Sequence, residues 1–172
     1  MKDSTLGPHR PELVLGIDPG LRVTGYGLVA RSGSTDMALV EAGTLEGGGP
    51  KSSMASRLRN LFEGMDSLVG EYQPEAVAIE QLYSHYAHPR TAILMAHARG
   101  VLSLAAALHD VEVFDYSATE VKAGLTGNGR APKAQVQRAI QHALKLHQEP
   151  QPADVADALA LALCHLSRTR GS

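Results

Sequence analysis

Apolar and polar residues along the chain keep two different rhythms. Leu13–Asp18 ("LVLGID") is a short apolar run rich in branched residues, and it predicts a strand that stops on a carboxylate. Pro19 and Gly20 make a turn, and Thr24–Ala30 predicts the hairpin partner, with Gly25 and Gly27 on either side of Tyr26. Ala38–Leu45 predicts a third strand, and Gly47–Pro50 breaks the chain. The rhythm then changes. Leu58, Leu61, Phe62, Met65, Leu68 and Val69 recur at helical spacing and predict a helix over Met54–Tyr72. Ala76–Glu80 ("AVAIE") predicts a short buried strand, and it too ends on an acid. Thr91–His109 is apolar and alanine-rich and predicts a buried helix. Glu112–Tyr116 predicts one more strand, and Ser117 with Glu120 has the spacing of a helix capping box. Ala134–Leu146 predicts an amphipathic helix and Ala153–Arg168 a last, mostly apolar one.

This order predicts a fold. Three strands in succession fit an antiparallel meander, and the later strands, each separated by a helix, should join in parallel through crossovers. The expected class is α/β: a mixed five-stranded sheet flanked by helices. No repeat or linker divides the chain, so residues 13–170 read as one domain and residues 1–12, polar and proline-bearing, as a loose tail. Glycines inside a strand imply close approach by another backbone or by a ligand. Gly25 and Gly27 therefore fit either tight packing within the fold or a bound polymer.

Composition changes the picture little. A chain of 172 residues with 44% hydrophobic content suits one globular domain. The one cysteine, Cys164, excludes an internal disulfide and reads as a small buried thiol. No apolar run reaches the ~18 residues of a membrane span and the start does not resemble a signal peptide, so a cytoplasmic protein is expected. The net charge of −2 does not point to nucleic acid. Its distribution says more: Lys122, Arg130, Lys133, Arg138 and Lys145 face only Glu120 between Ser117 and Gln148. That is a basic segment on a slightly acidic protein, for which a solvated helix surface is the plain alternative.

The candidate chemistry lies in carboxylates at the edges of apolar elements. Asp18 and Glu80 end strands, while Asp154 and Asp157 lie one turn apart at the start of the last helix. Taken singly, each has an ordinary explanation. Asp18 could close an Asx-turn with Gly20, Glu80 could pair with an arginine, and Asp154 could serve the helix dipole. Asp157 resists this, because an acid on a buried helix must be paired or bound to a cation. Together, all of them fall at the strand-end edge of one sheet. Clustered acids need cations, hard oxygen donors favour Mg²⁺ or Mn²⁺, and this number of acids suits a two-ion site acting on a phosphodiester.

The stretches "GIDPGLRVTGYG", "AIEQLY", "HARGVL", "GNGRAPKAQVQ" and "ADVADALALA" together resemble the RuvC Holliday junction resolvases, in order and spacing, from about Leu13 to His165. The resemblance implies an RNase H-like fold and a metal-dependent endonuclease that resolves four-way DNA junctions by symmetric paired nicks in recombination and repair. It implies action as a homodimer, with a branch-migration motor as partner. It carries the catalytic, metal-binding role onto Asp18, Glu80, Asp154 and Asp157, with in-line attack by water and departure of the 3′ oxygen. It also carries DNA contact onto Lys122 and Lys133 near the scissile phosphate, and onto Tyr83 at the opened junction centre. Tyr83 stands where many members have Phe, and some members have His at the Asp154 position. Met95-Ala96-His97 replaces a frequent Leu-Gly-Gln, a change of helix packing.

The loop "QLYSHYAHPR" adds Tyr86 and Arg90, since aromatics among basic groups suit stacking on splayed bases. Arg130 joins them from the basic segment. His85 and His88 lack the further ligands zinc needs. Two rival readings are an actin-like or sugar-kinase ATPase, which shares the strand, Asp-x-Gly turn and hairpin, and a non-catalytic junction-binding protein. Metal-dependent nicking of a four-way junction separates all three.

Overall fold

The computed structural model of the chain describes residues 11–82 and 89–169. The tail up to residue 10 and the loop residues Tyr83, His85, Tyr86 and His88 lie outside the described residues. Strands β1 (Glu12–Asp18), β2 (Val23–Ser32) and β3 (Asp36–Glu46) come first, then helix α1 (Met54–Tyr72), strand β4 (Ala76–Glu80), helix α2 (Pro89–Leu108), strand β5 (Glu112–Tyr116), and helices α3 (Ala118–Thr126), α4 (Lys133–Ala143) and α5 (Ala153–Arg168). The strands form one sheet in the order β3-β2-β1-β4-β5. β1–β2 and β2–β3 pair antiparallel, while β1–β4 and β4–β5 pair parallel. The expected meander followed by crossovers is therefore what the chain adopts, and β4, β5, α1 and α5 match their predicted bounds.

Strand alternation separates two faces. Val14, Val29, Ala76, Ala78 and Tyr116 belong to the core under α3, α4 and α5. Leu15, Ile17, Leu28, Val77 and Ile79 belong to the core under α1 and α2. β1 begins at Glu12, whose carboxylate pairs with Arg31 of β2; Arg31 also donates to the Leu166 carbonyl. Glu12 thus ties the first strand to the end of α5, rather than belonging to the tail.

The helices start and stop for local reasons. Ser53 caps α1 by accepting the Ser56 N–H, and Gln73 closes it in the left-handed region with φ 47°. The Ser117–Glu120 capping box of α3 is present, with both reciprocal bonds made. α5 is buried along nearly its whole length from Val155 to Leu166, Cys164 included. His165 packs there too. Burial lowers its pKa, and its neutral Nδ1 lies 2.8 Å from the Tyr116 hydroxyl.

α2 departs from the expectation of a buried helix. Ala98, Leu102, Ala105 and Ala106 are in the core, but Ile93, Leu104 and Leu108 are 58%, 51% and 63% exposed. Its segment Arg90–Leu108 is also long and apolar enough to cross a membrane by length and composition alone, contrary to the reading of the bare sequence. Its buried face and the ion pair from Arg99 to Asp115 of β5 attach it to the domain.

Candidate active site

The site begins with register. Gly16 of β1 pairs with Ala78 of β4, and Ile17 with Ile79. Parallel pairing one residue further sets Asp18 beside Glu80 at the strand ends. Both share the sheet face of Gly16 and Ala78, two residues earlier in each strand, and that is the face covered by α5. Across the other edge of β1, Asp18 stands opposite Gly25 of β2.

The Asp18 turn is held without using the Asp18 carboxylate. Thr24 is fully buried, and its hydroxyl donates to the Gly20 carbonyl at 2.8 Å and accepts the Gly20 N–H at 3.1 Å. The Asx-turn considered for Asp18 is thereby replaced by a threonine clamp. Among the described residues, none of Asp18, Glu80, Asp154 and Asp157 enters an ion pair. α5 is capped by Pro152 with no side-chain cap bond, and Asp154 lies in its first turn, where the dipole favours an acid.

Asp18, Glu80 and Asp157 line one cavity of about 250 Å³, together with Lys122 and Lys133 and an apolar wall of Val121, Val136 and Leu161. Asp154 is not among its lining residues and sits beside it, its backbone against Gly25. Lys122 projects from α3, and Lys133 is the first residue of α4. Lys122, half-buried, lines this cavity with the acids. Arg130 is exposed on the α3–α4 connection and Arg90 is exposed in the first turn of α2, both outside this cavity. Tyr83 and Tyr86 lie outside the described residues.

The electrostatics show acids held together against their own repulsion. Burial, then the charges of Glu80, Asp157 and Asp154, push the Asp18 carboxyl up to about 8; a hydrogen bond with Glu80 adds to the shift. Burial and the Asp157 charge raise Glu80 as well, while its bond to Asp18 pulls it back. Burial raises Asp157, and Lys133 counteracts this directly; Asp154 raises it further and Lys122 lowers it. Asp157 is also the most solvent-open of the cavity acids. Among the described residues, no three His, Cys, Asp or Glu side chains are close enough to make a ready cage for an ion. The arrangement is an open set of oxygen donors whose unpaired charge a hard divalent cation would neutralise, so the donor chemistry fits such an ion.

Three features of this site were not read from the sequence. The apolar wall gave no signal, because Val121, Val136 and Leu161 look like ordinary helix core. Thr24 looked like a strand residue. The third is the packing partner of the strand glycines, which is α5: a Cβ on Gly16 would lie 1.9 Å from the Ala158 carbonyl oxygen, and one on Gly25 would lie 2.1 Å from that of Asp154.

A mixed sheet of this order with helices on both faces is an RNase H-like fold. The family model described as crossover junction endodeoxyribonuclease RuvC matches residues 14–165. The crossover junction endodeoxyribonuclease RuvC of Rhodopirellula baltica is 47% identical over 160 residues, covering 93% of this chain and 89% of that one. That of Alkaliphilus metalliredigens is 44% identical over 155 residues, covering 89% and 92%. The Thermus thermophilus RuvC solved in complex with Holliday junction substrate superposes with a TM-score of 0.87 at 31% identity, covering 92% of this chain and 95% of that one. The yeast mitochondrial Holliday junction resolvase Ydc2, at 14% identity and a TM-score of 0.66, shares the fold. The chain belongs to the RuvC family of crossover junction endodeoxyribonucleases. Membership implies dependence on a divalent metal, and it removes the ATPase alternative.

Proposed function

We infer that this protein cuts four-way (Holliday) junction DNA by metal-dependent phosphodiester hydrolysis, resolving the junction through paired nicks in recombination and repair. The observation that carries the reading is the meeting of Asp18, Glu80 and Asp157 with Lys122 and Lys133 at one cavity, in a chain of this family.

Asp18, Glu80, Asp154 and Asp157 are the residues that would hold Mg²⁺ or Mn²⁺, two ions in our reading. When bound, such ions supply acidified water and neutralise phosphate charge. The rest follows from the chain's own groups. Asp18 lies between Glu80 on one side and the α5 pair on the other, so it is the carboxylate able to serve both. Burial and the neighbouring acids disfavour its charged form, and a divalent cation held there would favour it. Lys133 and Lys122 bring positive charge beside Asp157, where they would hold the scissile phosphate. The wall of Val121, Val136 and Leu161 offers no hydrogen-bonding groups on one side of the cavity, which would strengthen charge interactions along it. Rigid strand ends place Asp18 and Glu80 before substrate arrives, so little reorganisation accompanies the reaction.

Arg130 and Arg90 would contact DNA phosphates outside the cavity, and Tyr83 and Tyr86 would stack at the junction centre. A junction presents two like strands, and a two-fold homodimer would supply two matching sites. The exposed Ile93, Leu104 and Leu108 of α2 make that face our candidate for the dimer contact. A branch-migration motor as partner and action in the cytoplasm rest on family membership alone.

Nicking of a synthetic four-way junction in Mg²⁺ tests the reading. Asp18→Asn should lose at least ~10²-fold of the cleavage rate while keeping junction binding. Near-normal cleavage by that variant would overturn the assignment.

A further inference from the structure

The acids come from two bodies, strand ends and a helix start, and something must set the distance between them. Gly25 stands opposite Asp18 in the β1–β2 register. A Cβ placed on Gly25 would lie 2.1 Å from the Asp154 carbonyl oxygen, 2.3 Å from its carbon and 2.9 Å from its Cβ. The obstacle is mostly helix backbone, which cannot swing aside. Gly27, two residues on and about one and a half turns along α5, differs in degree: its Cβ would first meet Cδ2 and Cγ of the buried Leu159 at 2.5 and 2.7 Å, and the helix backbone only at 3.1 Å, well past the two acids. The Asp154 end of α5 therefore rests on the bare backbone of Gly25, beside the carboxylate it must cooperate with.

We propose that Gly25 is a positioning residue, whose missing side chain sets the separation of the α5 acids from Asp18 and Glu80 and so sets the metal requirement of the reaction. The proposal rests on the metal-binding role read for those acids. It assigns the glycine in "VTGYG" to helix placement rather than to the approach of DNA. A methyl group there lifts the α5 start, and the first effect falls on Asp154 and Asp157. α3 meets the far half of α5, where Glu120 and Gly124 approach Cys164 and Arg168, so a lift confined to the first turn of α5 should leave junction binding without metal in place.

The test compares Gly25→Ala with Gly27→Ala in the full chain by three measurements: junction binding in EDTA, the thermal shift caused by Mn²⁺ without DNA, and the Mg²⁺ dependence of cleavage. Gly25→Ala should raise the half-saturating Mg²⁺ about tenfold and shrink the Mn²⁺ thermal shift, with binding in EDTA unchanged. Mn²⁺ should support its cleavage better than Mg²⁺, since Mg²⁺ demands a stricter ligand geometry. Gly27→Ala should keep the wild-type metal requirement whatever its melting temperature. If Gly25→Ala does not fold, Pro152→Gly, which loosens the α5 start without adding an atom to the sheet, should raise the metal requirement in the same way; an unchanged requirement there overturns the proposal. Equal metal responses of wild type and Gly25→Ala overturn it too, as does loss of binding in EDTA alongside the metal defect. A wild-type protein unresponsive to divalent ions in both stability and cleavage would instead remove the metal reading itself, and this proposal with it.

Discussion

α2 and α5 look alike as sequence and differ as structure. Both are alanine-rich and apolar around most of their circumference. α5 crosses the middle of the sheet between β2 and β4, seated on Gly16 and Gly27, with α3 and α4 packed against it. α2 packs with one face on α1 and the sheet edge, leaving Ile93, Leu104 and Leu108 in solvent. The lesson is that hydropathy reports how much apolar surface a helix carries, not how much of it the monomer can cover. The uncovered remainder on α2 includes three large exposed apolar side chains, whereas Asp154 and Asp157 sit on the helix whose apolar surface is covered.

That contrast can be broken most severely at Gly16. Its Cβ would meet the Ala158 carbonyl and the Ala162 nitrogen, at 1.9 and 2.8 Å, both backbone atoms of α5. Gly16→Ala should cost at least ~1–3 kcal/mol by overpacking, read as a lower denaturation midpoint. A midpoint equal to wild type would mean that α5 is not seated as described.

The buried acids sharpen the comparison through pH. The folded Asp18 carboxyl sits near 8, well above its ordinary 3.8. Between those values the folded state holds a proton that the unfolded chain has released. The stability from this group is therefore full below about pH 4 and is lost as pH rises toward 8, by at most ~1.4 kcal/mol per pH unit. Without metal, the melting temperature should fall from pH 5 to pH 8. Asp18→Asn should flatten that fall and raise the melting temperature at pH 8. A steeper fall in the variant would contradict the raised pKa.

Lys133 probes the DNA-facing role of the α5 side more gently. Lys133→Ala should weaken junction binding most at low salt and reduce the slope of log affinity against log salt by about one. An equal loss at every salt concentration would point to misfolding rather than a phosphate contact. The smallest effect belongs to α2. Leu108→Gln should change the stability of the monomer by no more than ~0.5 kcal/mol, because the side chain is already exposed. Sedimentation should nevertheless show weaker self-association, and unchanged association would remove this face as the dimer contact.

Much of the fold was legible because strands and helices alternate with clear periods here. Ala76–Glu80 and Glu112–Tyr116 are bounded by loop residues, and Ser117 with Glu120 marks the start of α3 by spacing alone. The helix start of α4 was read one residue late, because Lys133 is polar and Pro132 caps without a side-chain bond. Lys122 was the harder case. Nothing local distinguishes a lysine facing a cavity of acids from one facing water, and only the packing of α3 beside α5 makes the difference. The exposure of α2 was illegible for the related reason that coverage depends on what other elements can reach.

The residue order by itself determined the elements, the placement of Asp18 and Glu80 at strand ends, and the spacing of Asp154 and Asp157 on one helix. These are consequences of local geometry: a strand alternates, a helix repeats, and an acid closes an apolar run wherever the chain puts it. Only the tertiary structure decided that the two pairs meet. Parallel register brought Asp18 beside Glu80, the side-chain-free surface of Gly16 and Gly25 let α5 close onto them, and the resulting proximity of like charges moved the Asp18 carboxyl far from its ordinary value. Contact between residues distant in sequence is a property of how surfaces fit, and no run of residues carries that information alone.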